Sequence, residues 1–275
     1  MAIITLTTDY GNKDYSVSSL KAKLISEIDD INIVDITHDI SPFNLAEAGY
    51  VLEGAFSEFP KGTIHILSVD SELTPENKHI AIMYDGSFFI GADNGVFSLI
   101  FRDKKPDQIV EINLHSNYNY DISADELFVK VASHINRSGP LNVVGSEIDT
   151  IKEIINLRPV INKEMNQIIG SVIYIDNYGN VVTNITEKLF KEISKTRPFT
   201  INARNVKFSK IHKNYSDAID FNLEKKDREE DGKKIALFNN LGYLQLSVYR
   251  SNPQTVGSAS TLFGLNYRDA VSVYF

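Results

Sequence analysis

Carboxylates follow two apolar stretches of the chain, in positions from which they could act on a bound small molecule. Asp70 comes directly after the apolar run Ile64–Val69. A carboxylate at the tip of a buried strand is costly unless it is partnered or used, so Asp70 is the best catalytic candidate. Asp9 follows the run Ile3–Thr7, and its two oxygens could accept hydrogen bonds from both hydroxyls of a ribose.

Other residues near these stretches have both a functional and a structural interpretation. Asp14 and Ser16 stand near the start of a predicted helix, where either could bind a ligand or cap the helix. His38 could be a catalytic base, a metal ligand or a hydrogen-bonded structural histidine. Phe43 could offer a flat face to a sugar or base, or pack in the core. The segment 92–95 predicts a turn whose polar side chains could also face the crevice.

Two polar segments in the second half of the chain could contribute to binding. Asp176–Asn180 predicts a hairpin turn with its glycine at a positive φ. Asp176 could accept a hydrogen bond from an ammonium group, and the Asn180 amide could pair with a purine edge. The segment 239–244 is a similar polar turn between strands.

The elements that would position these residues change in type near residue 150. Before it, apolar runs alternate with helical periodicity, which predicts an α/β domain over 1–155 with a largely parallel sheet. Ligands of such sheets lie beyond the carboxyl ends of the strands. Short strands with little helix predict a smaller β-barrel domain over 166–275. The predicted helices are 16–28 and 45–59, and the predicted strands are 3–7, 33–36, 64–69, 80–84, 88–91, 168–175, 181–185, 199–201, 236–237, 244–248 and 270–274.

Composition limits the classes of site and partner. The 275 residues include no cysteine, which excludes disulfides, thiolate metal sites and cysteine nucleophiles, and no metal site is predicted. No stretch approaches the ~20 apolar residues of a membrane helix. The net charge of -8, from 28 Lys+Arg and 36 Asp+Glu, is unlike a nucleic-acid binder. The first residues lack the basic start of a signal peptide, so we expect a cytoplasmic protein.

Five segments in register carry a family resemblance. They are Leu6–Asp14, Val34–Ile40, Asp93–Val96, Ile175–Ile185 and Asn239–Leu244, the last followed by Gly257–Ala259. In this order they resemble the S-adenosylmethionine (SAM) hydroxide adenosyltransferases, the family that also contains the SAM-dependent chlorinases and fluorinases. The resemblance runs from residue 3 to residue 275.

The resemblance implies an amino-terminal α/β domain joined to a carboxyl-terminal β-barrel. It also implies a homotrimer whose ligand lies between one subunit's first domain and its neighbour's second. By motif, Asp9 would hold the ribose hydroxyls, Phe43 would lie against the sugar, and Asn180 would read the adenine edge. Backbone atoms near Tyr249 and Arg250 would complete the adenine site. The residues implied around the methionine amino and carboxylate groups are Asp14, Ser16, Asp176 and Asn240.

The resemblance further implies hydrolysis of SAM to adenosine and methionine, with SAM as substrate and no cofactor. Asp70 would orient or deprotonate the water that attacks C5'. Hydrolases of the family pair this aspartate with an arginine and a histidine. The corresponding positions here are Asn77 and Ser123, which the resemblance makes catalytic candidates beside Asp70. Lys78 and His79 are adjacent to Asn77 and could substitute.

This departure leaves alternatives to hydrolysis. One is a protein that binds SAM or adenosine with little turnover, and another is a halogenase with a halide as nucleophile. Outside the family, Asp9, Asp14 and Asp39 could support a metal-dependent phosphohydrolase.

Overall fold

The computed structural model describes residues 2–102, 104–114, 122–230 and 232–275. The chain forms two compact units, Met1–Ile154 and Ile155–Phe275. Residues 156–165, which lie between the predicted domains, belong to the second unit, because Val160 and Ile161 pair with a strand there. None of the helices in the described ranges is long and apolar enough to cross a membrane.

The first unit consists of a mixed sheet and the helices that connect its strands. In chain order its elements are β1 (Ala2–Thr8), α1 (Ser16–Glu27), β2 (Ile31–Thr37), α2 (Leu45–Phe56), β3 (Ile64–Ser68), β4 (His79–Tyr84), β5 (Ser87–Ala92), α3 (Val96–Phe101), β6 (Gln108–Ile112), α4 (Ala124–Asn136) and β7 (Gly145–Glu147).

The sheet of the first unit has the order β2-β1-β3-β5-β4-β6-β7. β1 pairs in parallel with β2 and β3, and β3 pairs in parallel with β5. β4, β6 and β7 join the sheet in antiparallel pairs. Every residue of β3 is buried, as expected for a parallel strand covered on both faces. The predicted α/β fold is confirmed, and the parallel part of the sheet is the amino-terminal part that contains β1, β2, β3 and β5.

Helices cover this sheet from two sides. Leu20 of α1 and Phe128 of α4 pack with Ile66 of β3 in one apolar cluster. Leu52 of α2 and Phe97 of α3 pack in a second cluster with the strand residues on the opposite face of the sheet. The alternation of strand side chains between two cores fixes the sheet between its helices.

The second unit is dominated by antiparallel strands. Its elements are β8 (Val160–Ile161), β9 (Gln167–Ile175), β10 (Val181–Thr186), α5 (Glu187–Ser194), β11 (Thr200–Ala203), β12 (Val206–Phe208), β13 (Lys234–Phe238), β14 (Tyr243–Val248), α6 (Ala259–Phe263) and β15 (Ala270–Tyr274).

The strands of the second unit form a nearly closed, barrel-like sheet. Its order is β12-β11-β15-β9-β10-β14-β13, and β8 pairs separately with β9. Val172, Leu244 and Val271 come from different strands and pack in one buried core. His212, just after β12, forms a bridge with Leu237 of β13 at the opposite end of the strand order. The prediction of a smaller barrel-like domain with little helix is confirmed.

Candidate active site

Four strands of the first unit end at one edge of its sheet, and the residues that follow them form the candidate site. β1, β2, β3 and β5 run in the same direction, so their carboxyl ends meet at this edge. The Gly11 N–H donates to the His38 carbonyl at 2.7 Å, and the Ile40 N–H donates to the Thr8 carbonyl at 3.4 Å. These contacts hold the loops after β1 and β2 together.

Asp70 stands just beyond the end of β3 in a strained backbone conformation. Its φ is +47°, in the left-handed region, which costs a non-glycine residue about 1–3 kcal/mol. The Asn94 amide, from the loop after β5, donates to the carbonyls of Val69 at 3.0 Å and Asp70 at 3.1 Å. The Asn94 side chain also accepts from the Val96 N–H at 3.2 Å. The backbone that carries the Asp70 carboxylate is therefore fixed by the neighbouring strand end.

A set of hydroxyl groups joins the ends of β1 and β3 to α4. The Tyr10 hydroxyl donates to Asp125 Oδ1 at 2.6 Å and lies 2.7 Å from the Ser68 hydroxyl. Ser68 Oγ in turn lies 2.9 Å from Ser71 Oγ. Burial first, and then the Asp125 carboxylate, raise the pKa of the Tyr10 phenol well above its usual range. Tyr10 therefore keeps its proton and remains a donor.

Asp9 and Phe43 are brought together at the same edge. The Phe43 N–H donates to Asp9 Oδ2 at 3.0 Å. Phe43 has a φ of +61°, and 72% of its surface is exposed. An exposed aromatic residue is thus tied to a carboxylate through its backbone N–H, and the pair is suited to a sugar with neighbouring hydroxyls.

Asp14 and Ser16 lie at the start of α1. The Ser16 N–H donates to Asp14 Oδ1 at 2.9 Å, and this bond lowers the pKa of the exposed Asp14 carboxyl. The capping position is occupied by Tyr15, which makes no capping hydrogen bond with its side chain. Asp14 therefore supports the first turn and presents its other oxygen to solvent.

His38 has the surroundings of a structural histidine. It is buried, and its Nδ1 lies 2.9 Å from the Thr8 hydroxyl. Its Nε2 lies 3.1 Å from Asp35 Oδ1. The Nε2 contact is close but does not have hydrogen-bond geometry, so the bond to Thr8 is the one that fixes the ring. Burial and this bond favour the structural interpretation of His38 over a catalytic base.

The segment Asp176–Asn180 of the second unit is a tight turn organised by one carboxylate. Asp176 Oδ1 accepts from the N–H groups of Tyr178 and Asn180, both at 2.9 Å, and Oδ2 accepts from the Asn180 amide at 2.8 Å. Gly179 has a φ of +72°, and a Cβ there would lie 2.2 Å from Ser258 Oγ. The turn therefore requires glycine for both its backbone angle and its close contact.

The amide of Asn180 is held in a defined orientation by this turn. Its Nδ2 donates to Asp176, so Oδ1 is the free end of the amide. That oxygen is buried and has no hydrogen-bond partner among the described residues. A buried acceptor without a donor costs about 1–3 kcal/mol, so this oxygen is poised to accept a hydrogen bond.

The other predicted residues of the second unit lie near the ends of β14. Asn240 is exposed at the turn before it, which Asn239 organises by accepting from the Leu241 N–H at 3.1 Å. At the far end, the Arg250 guanidinium lies 5.3 Å from the Tyr249 ring centroid. The structure places Tyr249 and Arg250 together and Asn240 at the opposite end of the strand.

The three aspartates considered as metal ligands, Asp9, Asp14 and Asp39, each have a different hydrogen-bond partner. Asp39 accepts from the Asn12 amide at 3.1 and 3.2 Å, whereas Asp9 and Asp14 accept from backbone groups as described above. In the parts of the chain that the structure describes, no group of three or more His, Asp or Glu side chains could hold a metal ion. Asp9, Asp14 and Asp39 are therefore not arranged as ligands of one ion.

Comparison with known families decides what kind of protein carries these two sets of residues. The model of the SAM hydroxide adenosyltransferase N-terminal domain matches residues 4–145, and that of the C-terminal domain matches residues 170–272. The chain belongs to the SAM hydroxide adenosyltransferase family.

Relatives of the chain include proteins with two different names. The (R)-S-adenosyl-L-methionine hydrolase of Methanocaldococcus jannaschii is 29% identical, over 99% of this chain and 96% of its own length. A fluorinase of Actinopolyspora mzabensis is 22% identical, over 66% of this chain and 71% of its own length. The crystal structure of an uncharacterized conserved protein from Thermotoga maritima covers 100% of both chains, with 25% identity and a TM-score of 0.78.

Asn77 and Ser123 have local structural contacts. The Asn77 N–H donates to the Thr74 hydroxyl at 2.8 Å, and its side-chain oxygen accepts from Lys152 Nζ at 3.1 Å. Ser123 caps α4, since its hydroxyl accepts from the Glu126 N–H at 3.3 Å while the Glu126 carboxylate accepts from the Ser123 N–H. A catalytic role for either residue stays a prediction.

Lys78 and His79, which could substitute for the arginine that the family's hydrolases have at position 77, have different surroundings. His79 is buried, and its Nε2 lies 2.8 Å from the Ser71 carbonyl. Lys78 lines a cavity of the first unit together with Ser123 and Glu72. His79 therefore supports the loop after Asp70, whereas Lys78 brings a positive charge to the cavity beside the α4 cap.

Sequence reasoning missed several residues of this edge. Tyr10 lies within a motif but gave no chemical signal of its own. Ser68 belonged to an apolar run, and Asp125 has the position of an acidic residue in the first turn of a helix. Lys152, whose N–H donates to Asp93 Oδ1 at 2.9 Å and whose Nζ donates to the Glu76 carbonyl, has no local sequence pattern. Only the Ser-x-x-Glu capping signature at 123–126 could have drawn attention to the start of α4.

Proposed function

We propose that this chain hydrolyses SAM to adenosine and L-methionine by in-line attack of water at C5'. The observation that carries the proposal is Asp70, a half-buried residue whose backbone carbonyl is held by Asn94 at the strand edge where such sheets bind ligands. Membership of the family and the named activity of the relative from M. jannaschii support it.

The chemistry asks little of the protein beyond positioning. The sulfonium leaves as a neutral thioether, so the leaving group needs no general acid. Holding water in line with C5' and sulfur can remove roughly 7–11 kcal/mol of the barrier. A carboxylate that orients the water and takes its proton completes the minimum set, and this is the role proposed for Asp70.

Substrate binding is proposed for both units. Asp9, whose Oδ2 is already engaged by Phe43, would accept from a ribose hydroxyl through Oδ1 while the Phe43 ring covers the sugar. The Asn180 amide would meet the adenine edge, with backbone atoms near Tyr249 and Arg250. The residues proposed for the amino and carboxylate groups of methionine are Asp14, Ser16, Asp176 and Asn240.

The proposal includes a homotrimer whose subunits share the substrate sites, a cytoplasmic location and no cofactor. It includes no role for a metal or for nucleic acid. Sedimentation of the purified protein tests the trimer independently of turnover, because a monomer in solution would leave the shared sites without a second subunit.

The largest effect on turnover is expected from Asp70→Asn. Amide and carboxylate have the same shape, and asparagine accepts a positive φ as readily, so the variant removes the base while the fold is kept. Incubation with SAM and chromatography of the products should show adenosine from the native chain and almost none from Asp70→Asn.

The matched control is Asp85→Asn. Asp85 also has a positive φ, of +49°, but it lies in the turn before β5, at the opposite edge of the sheet. Turnover by Asp85→Asn should equal that of the native chain. Adenosine release by Asp70→Asn at the native rate would remove Asp70 from the mechanism.

A second candidate function is binding of SAM or adenosine without turnover. The local contacts of Asn77 with Lys152 and of Ser123 with Glu126 favour it, because neutral side chains stand here where the family's hydrolases have an arginine and a histidine. Calorimetric binding of SAM without any adenosine after long incubation would establish this function in place of hydrolysis. The same assay with chloride added tests the halogenase alternative, which requires a chlorinated nucleoside as product.

A further inference from the structure

Three hydroxyl groups and one carboxylate form a continuous chain of hydrogen bonds in the first unit. An ionised carboxylate only accepts, so the Tyr10 hydroxyl gives its single proton to Asp125 Oδ1. Ser68 Oγ lies 2.7 Å from the Tyr10 oxygen and 3.3 Å from Asp125 Oδ1, and its single proton points between these two acceptors. Ser71 donates to Ser68 at 2.9 Å. The carboxylate at one end therefore sets the direction of every bond in the chain.

The other end of this chain lies next to Asp70. Ser71 is the following residue, and its carbonyl is 2.8 Å from the Nε2 of the buried His79. On the preceding side, Asn94 holds the carbonyls of Val69 and Asp70 itself. A left-handed residue persists only where its surroundings over-determine it, and here both flanks of Asp70 are tied to other elements.

We propose that Tyr10 and Asp125 are positioning residues for Asp70. They act through Ser68 and Ser71 to hold the Asp70 carboxylate next to the position of the attacking water. The inference rests on the proposed function. The phenol links β1 to the loop after β3, and Asp125 anchors it to the first turn of α4. The residues act through Asp70 and need no contact with the substrate.

Tyr10→Phe removes one oxygen and keeps the ring. We expect kcat to fall about 10- to 100-fold, as for a catalytic group displaced by about 1 Å, with KM within about 2-fold of the native value. Tyr84→Phe is the control, because Tyr84 is a buried tyrosine at the far end of β4, packed 4.3 Å from Phe101 between ring centroids. It should leave kcat unchanged.

A double variant separates positioning from a general loss of structure. If Tyr10 acts through Asp70, adding Tyr10→Phe to Asp70→Asn should not lower the residual turnover further, because there is no carboxylate left to position. Tyr10→Phe and Ser71→Ala should also combine to no more than the larger single effect. Multiplicative losses in either pair would overturn the proposal.

Amide hydrogen exchange tests the same proposal without turnover. Exchange in a peptide that contains Asp70 and Ser71 should be faster in Tyr10→Phe than in the native chain or Tyr84→Phe, since the loop loses its anchor. Unchanged exchange overturns the positioning role, whatever the enzyme does. If exchange is faster in Tyr10→Phe but the native chain releases no adenosine from SAM, the role of Tyr10 in anchoring the loop stands. Only the proposed hydrolysis is then overturned.

Discussion

The two units position their candidate binding residues in different ways. In the first unit, the contacts join residues far apart in the chain: Tyr10 meets Asp125 across 115 residues, and Phe43 meets Asp9 across 34. In the second unit, Asp176 organises its turn with residues no more than four positions away. The strand-end residues depend on the register of a whole sheet. The turn takes its shape from hydrogen bonds between neighbouring residues, and distant residues such as Ser251 and Ser258 fix only how it packs.

The largest effect is expected from Gly179→Ala, where the turn of the second unit packs closely against a residue far along the chain. The added Cβ meets Ser258 Oγ at 2.2 Å in a backbone with φ of +72°, so strain and overlap together should lower the free energy of unfolding by about 4 kcal/mol. Gly242→Ala is the control, because Gly242 has a φ of +75° and no atom of the described residues lies within 4 Å of its Cβ position. Urea unfolding of both variants measures the difference, and equal losses would show that the contact with Ser258 is unimportant.

The first unit should lose stability in acid before the second, because it buries the imidazole of His65 between strands far apart in the chain. His65 Nδ1 lies 2.7 Å from the Thr5 hydroxyl, 60 residues away, and its buried Nε2 has no partner in the described part of the chain. Burial lowers the pKa of His65 from 6.5 to about 4. The unfolded chain therefore binds a proton more readily, and stability that is present above pH 6.5 is lost as the pH falls through 4, by up to about 3 kcal/mol.

The measurement is peptide-resolved hydrogen exchange between pH 7 and 4, corrected for intrinsic exchange rates. Protection in peptides of residues 2–102 should fall with pH before that in peptides of 232–275. His65→Gln, which keeps a neutral hydrogen-bonding side chain, should have a lower stability with a flatter pH dependence over this range. The same slope in the variant would assign the pH dependence to other groups.

The smallest expected effect concerns the cap of α4. Ser123→Ala removes the hydroxyl that accepts from the Glu126 N–H, which should lower the free energy of unfolding by about 1 kcal/mol. Because the described contacts of Ser123 are those of a cap, kcat per folded molecule should stay near the native value. Loss of kcat with unchanged stability would instead give Ser123 the catalytic role that the family resemblance implies.

The sequence predicted those parts of the fold that have a local signal. The apolar run before Asp70 predicted β3, and the spacing of Val17, Leu20 and Leu24 predicted α1 within one residue of its end. The turn at 176–180 was predicted with its glycine. α3 and α4 were not predicted, although Ser123 and Glu126 formed a recognisable capping signature.

The contacts at the strand-end edge of the first unit could not be predicted from short sequence patterns. Asn94 was assigned to a turn, and nothing near it in sequence indicates that its amide reaches the carbonyl of Asp70. The link from Tyr10 to Asp125 arises only after β1, β3 and α4 have been placed side by side. Such pairs follow from sheet order and helix packing, which a single sequence specifies through its whole core and not through a motif.

The bridge between His212 and Leu237 bears on how the protein behaves when concentrated. β12 and β13 are the terminal strands of the second unit's sheet, and unpaired strands of this kind recruit strands from other chains. By laying the segment after β12 against β13, the bridge occupies backbone groups that would otherwise template aggregation. The near-closure of the sheet thus serves as protection against intermolecular strand addition, in addition to enclosing a core.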